Sequence, residues 1–110
     1  MTSYGYTVVD SAEWEDKTIR LKSTDPQVIE WFRSEVKKLA PNCNLKAIRD
    51  WQKLPSGEPC YAEAAKLKDL RWPVYNWVVK QLCQRGWEPF AQEGDETDLS
   101  SRIHFRMKHD

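Results

Sequence analysis

The chain has 110 residues, a formal net charge of zero and 31% charged residues. That length suits one domain spanning 1–110, and the balanced charge excludes a general long-range attraction to nucleic acid or anionic membrane, leaving only local patches. No apolar run approaches the ~20 residues of a membrane span, and Met1-Thr-Ser-Tyr-Gly-Tyr6 has neither the basic nor the apolar region of a secretory signal.

Tyr4 to Val9 is rich in tyrosine and valine and reads as a short strand. A polar, acidic stretch follows from Asp10 to Asp16, with Trp14 inside it. Thr18-Ile-Arg-Leu-Lys22 then alternates, Ile19 and Leu21 on one face and Arg20 and Lys22 on the other, which predicts a half-buried strand pairing with the first. Ser23-Thr-Asp-Pro26 is a helix start: Asp25 can cap with Pro26 as the first helical residue, or Thr24 can cap with Gln27 as its partner. Val28, Ile29, Phe32, Val36 and Leu39 form the apolar stripe of that helix, and Pro41-Asn42 ends it.

Leu45 to Leu54 is ambiguous. Leu45, Ile48 and Trp51 fit a helical spacing of three, but a strand turning at Pro55-Ser-Gly-Glu58 and returning through Cys60-Tyr-Ala62 is favoured, because proline and glycine in a polar tetrad make a turn. For Tyr61 to Leu70, rich in alanine, lysine and leucine, the alternative is the opening of a short helix. From Pro73, residues Val74, Trp77, Val78 and Leu82 define a helix face that Tyr75, Val79 and Cys83 widen; Asn76, Lys80 and Gln84 form a narrow polar stripe. Gly86 stands where a left-handed residue ends a helix. Trp87 to Phe90 restarts as a strand, and Pro89, which has no N–H to donate, makes it an edge or bulged one. Glu93 to Asp98 is a hydrophilic loop. Arg102 to Lys108 alternates cleanly, Ile103, Phe105 and Met107 against Arg102, His104, Arg106 and Lys108. The expected fold class is α+β, a two-layer sandwich with helices packed on one face of a mostly antiparallel sheet.

The run Leu82-Cys-Gln-Arg-Gly-Trp-Glu88, followed by a strand with basic residues from Phe105 to Lys108, resembles a group of small bacterial domains of unknown function that carry a helix, a Gly-Trp-Glu motif and a closing basic strand. The resemblance covers the last third of the chain. It implies a fold element and, at most, a binding role.

No phosphate loop, dinucleotide fingerprint, nucleophile elbow or zinc-protease motif occurs. The acidic residues Glu93, Asp95, Glu96 and Asp98 lack the ligand register of a calcium loop, so a solvated connection is expected. Cys43, Cys60 and Cys83 are odd in number and far apart; they read as reduced thiols of a cytoplasmic protein, not as a zinc site, with Cys83 in the core. No catalytic residue, cofactor or metal is therefore assigned.

Six tryptophans are many for one core of this size, and tryptophan is enriched at interface hot spots. A small non-catalytic module acting through protein contacts is the first reading, with Trp14, Trp72 and Trp87 as candidate contacts and a protein as partner. For Trp87 the competing assignment is plain core packing. The alternative is a single-stranded nucleic-acid binder using Arg20, Lys22, Arg102, His104, Arg106 and Lys108 on a sheet face, with Tyr4 and Tyr6 nearby. An enzyme without a recognisable motif is the third reading. An exposed aromatic patch would favour protein contact, and a continuous basic face would favour nucleic acid.

Overall fold

The computed structural model describes residues 3–47, 60–94 and 101–109. Strand β1 (Ser3–Ala12) is followed by β2 (Thr18–Ser23), helix α1 (Pro26–Leu39), β3 (Asn44–Ala47), β4 (Cys60–Ala65), helix α2 (Arg71–Gln84), β5 (Glu88–Glu93) and β6 (Ser101–His109). The strands form one sheet in the order β3-β4-β2-β1-β6-β5, and each neighbouring pair is antiparallel. Both helices contribute to a single buried cluster with the sheet residues Val9, Ile19, Leu21, Ala62, Ala64 and Phe105. The α+β class and its helix-on-sheet layering are thus as the patterning predicts. Among the described residues, no helix is long and apolar enough to cross a membrane.

Local chemistry sets the helix ends. The Asp25 carboxylate accepts from the Gln27 N–H at 2.9 Å, and Pro26 opens α1. Thr24 does not cap: its hydroxyl accepts from the Tyr6 N–H at 3.0 Å and ties the end of β2 to β1. Helix α2 starts at Arg71, two residues before the predicted Pro73, which still falls in the first turn, where N–H groups have no partner inside the helix.

At its far end the Gly86 N–H donates to the Cys83 carbonyl at 3.1 Å and the Trp87 N–H to the Leu82 carbonyl at 3.0 Å. With Gly86 at φ +97° this is a Schellman stop, sealed by Leu82 and Trp87 in the core. Gly86→Ala is expected to cost roughly 1 kcal/mol, the scale of a left-handed residue with a side chain. The new Cβ would lie an ordinary 3.6 Å from Met107 Cε, so the loss is conformational and not a clash. A chemical denaturation midpoint equal to that of the native chain would refute this.

Several expectations change. β1 continues to Ala12, through the start of the stretch read as acidic loop, because its register with β2 and β6 carries on and pairs Asp10 with Arg20 and Arg102. The β1–β2 turn has three successive non-glycine residues at positive φ, Glu15, Asp16 and Lys17. It is held by Lys66, Leu67 and Lys68, whose N–H groups donate to the carbonyls of Glu15, Lys17 and Asp16 at 3.0–3.2 Å.

The stretch from Tyr61 is a strand as far as Ala65, with one turn of 3-10 helix at Lys68–Leu70. β3 and β4 pair antiparallel as the arms of the favoured hairpin; its turn, Pro55 to Glu58, and Trp51 lie outside the described residues, as do Asp95, Glu96 and Asp98.

Cys83 is exposed, not core. The buried positions of α2 are Arg71, Val74, Tyr75, Val78 and Leu82, and Cys83 lies a further 100° around from Leu82, turned to solvent. Cys43 and Cys60 are buried, which pushes both thiols up from their ordinary values. Cys83 should therefore be modified well before Cys43 and Cys60 in the native protein. Peptide mapping after a short pulse of alkylating reagent checks this; label appearing first on Cys43 or Cys60 would contradict it.

Candidate functional site

Two faces of the sheet differ in kind. One carries the helices. On the other, β1 presents Tyr4, Tyr6, Val8 and Asp10, and its antiparallel neighbours set cations beside them. Lys108 lies opposite Tyr4, Arg106 opposite Tyr6, His104 and Lys22 opposite Val8 on either side, and Arg102 and Arg20 opposite Asp10. All six basic residues singled out from the sequence therefore share this face with the two tyrosines.

They do not form a continuous basic surface. Asp10 Oδ2 holds Arg20 Nη2 at 3.2 Å and Arg102 Nη2 at 3.1 Å. Glu93 reaches Arg102 at 3.4 Å, and Glu88 reaches Arg106 Nε at 3.3 Å. The hydrogen bond and charge of Glu88 push the Arg106 guanidinium still further above its ordinary value. Arginine is thus answered by carboxylate along most of β6.

Edge strand β5 adds the residue that the sequence reading missed. Its pairing with β6 shifts register between Pro89 and Ala91, a bulge that fits the missing N–H of Pro89. The extra residue is Phe90. Its ring meets Tyr6 edge-on at 6.3 Å and His104 at 6.1 Å, with the Arg106 guanidinium carbon 5.4 Å from its centre. Arg106 also lies 5.9 Å from the Tyr4 ring. Tyr4, Tyr6 and Phe90 are 45%, 49% and 46% exposed, so three large rings form a solvent-facing patch around one guanidinium. The signal for the bulge was legible in Pro89; which side chain it would turn outward was not.

The predicted contact tryptophans separate. Trp87 is 3% exposed and belongs to the core, sealed under α2, so it offers no surface. Trp14 and Trp72 are exposed, at the end of β1 away from Tyr4. Trp14 lies beside Arg20, with the guanidinium carbon 5.5 Å from its ring. Trp72 is covered on one side by Arg71 at 4.4 Å and meets Tyr75 edge-on at 5.5 Å. Arg71, buried, binds Glu13 at 2.9 Å and so joins the start of α2 to the β1–β2 turn. Trp31 is half-buried, stacked on Trp77 at 5.6 Å under Arg85.

Cys43 and Cys60 are buried, and no group of three or more metal-ligating side chains occurs among the described residues. Neither a family model nor a curated protein matches this chain. Among solved structures it is similar to a conserved kinetoplastid-specific protein from Trypanosoma cruzi, 9% identical, over 98% of this chain and 98% of that one, with a TM-score of 0.55. That likeness is one of fold: an α+β chain of comparable extent.

Proposed function

We propose that this protein is a non-catalytic binding module that contacts a protein partner through the helix-free face of its sheet. The observation that carries the reading is the exposed patch of Tyr4, Tyr6 and Phe90. Aromatic side chains supply large contact area at small conformational cost, and exposed contiguous ones mark interaction surfaces. The carboxylates Asp10, Glu88 and Glu93 among the arginines favour protein over nucleic acid. A phosphate backbone would have to displace those carboxylates to gain its contacts. Trp14, beside Arg20, becomes a secondary contact at the far end of β1, whereas Trp72, on helix α2, lies off this face. We include a cytoplasmic setting in the proposal, which suits three free cysteines.

The test is capture of partners from lysate, with and without nuclease treatment, by the native protein and by a Tyr6→Thr, Phe90→Thr double variant. A protein held by the first and lost by the second supports the reading. Capture that depends on intact RNA, or that the double change leaves untouched, refutes it.

A further inference from the structure

Beside the aromatic patch, the same face carries a recess of about 160 Å3 lined by Val8, Asp10, Arg20, Lys22, Arg102 and His104. The register of β2 and β6 on either side of β1 builds it, with Val8 as floor between Lys22 and His104 and Asp10 between Arg20 and Arg102. Asp10 is shared by both guanidiniums, Glu93 also reaches Arg102, and Glu63 lies opposite Arg20 on β4, so the charge left over in the lining is that of Lys22. Lys22 has no ion pair with any described residue. His104 Nε2 is buried and lacks a hydrogen-bond partner among the described residues, with Glu93 Oε1 3.7 Å away. The recess therefore holds one cation, Lys22, without an ion-pair partner among the described residues, beside a histidine that can donate to an oxyanion.

We infer that this recess seats one oxyanion, the carboxylate or phosphate-monoester group of a partner protein's side chain, while the adjoining part of the partner lies on Tyr6 and Phe90. The inference rests on the protein-contact reading above and names what that partner must present. Continuity comes from His104, which lines the recess and whose ring lies 6.1 Å from Phe90. The size of the recess and its surroundings limit it to one anionic group. Beyond it, Arg106 is held by Glu88 and Arg102 also by Glu93, so the face offers no row of unmatched cations for successive phosphates.

The experiment is an amide and imidazole NMR titration of the intact protein at constant ionic strength. The probes are sodium acetate, inorganic phosphate, phenyl phosphate and a uridylate octamer. Saturable shifts are expected at Val8, Lys22 and His104 with acetate or with phosphate, the tighter of the two identifying the anion's source. Phenyl phosphate should bind at least about tenfold tighter than inorganic phosphate, the factor that 1.4 kcal/mol of ring contact supplies, with added shifts at Tyr6 and Phe90. Lys22→Ala should weaken the preferred anion at least about tenfold, whereas Lys46→Ala, on β3 and outside the recess, should not. The spectrum elsewhere reports whether each variant is folded.

Shifts that rise without saturating, or that persist unchanged in Lys22→Ala, overturn the recess. Tighter binding of the octamer than of phenyl phosphate overturns the single-anion assignment in favour of nucleic acid. The two readings also fail separately. A partner lost with the Tyr6→Thr, Phe90→Thr change but no anion binding removes the recess alone. Anion binding with an unaffected partner removes the protein-contact reading.

Discussion

Replacing both Tyr6 and Phe90 with threonine is expected to weaken binding of the captured partner by at least about 2 kcal/mol, some 30-fold in Kd. The two rings touch edge-on and each is about half exposed, so a partner covering one covers both. Their effects should be coupled, and the double change should differ from the sum of the single ones. Threonine is β-branched, a shape that strands favour, so stability should change little. Isothermal titration with the partner, alongside a thermal melt of each variant, separates the two effects. Equal affinity for native and double-variant protein would remove the patch from the interface, whereas a large fall in Tm would attribute any loss to unfolding.

Phe32→Ala should be among the most damaging single changes to the fold, at about 3–5 kcal/mol. Phe32 is fully buried on the inner side of α1. That helix lies against β4, β2 and β3, and the inward residues of β4 are Cys60, Ala62 and Ala64, all fully buried. These side chains are too small to move into the space that a phenyl ring vacates, so the cavity term should stay near its full size. The measurement is the urea midpoint at unchanged m-value. A loss below about 1 kcal/mol would mean that the ring does not bridge the two layers as described.

Each part of the fold that the sequence determined alone rests on chemistry acting within a few residues. Asp25-Pro26 supplies a carboxylate and a fixed φ where α1 needs a cap. Gly86 supplies the positive φ that lets α2 stop and β5 begin. Pro89 weakens a ladder and so predicts an edge or a bulged strand, and β5 is both. Alternation from Arg102 to Lys108 assigns one face to the core and one to solvent, whatever lies next to it.

The tertiary structure decided what depends on partners distant along the chain. Tyr61 to Ala65 has residues that suit a helix, yet its small inward side chains let α1 approach closely, and pairing with β2 and β3 makes it a strand. Trp87 and Phe90 are three positions apart and equally apolar. The Schellman stop carries the first inward, and the bulge turns the second out. Asp10 meets Arg102 across a separation of 92 residues, so the neutralisation that turns a row of basic residues into a patterned face was invisible in the local pattern. Local dihedral and capping preferences are written into neighbouring residues. Charge pairing and the choice of exposed ring follow from cross-strand register, which is fixed only when β6 docks beside β1.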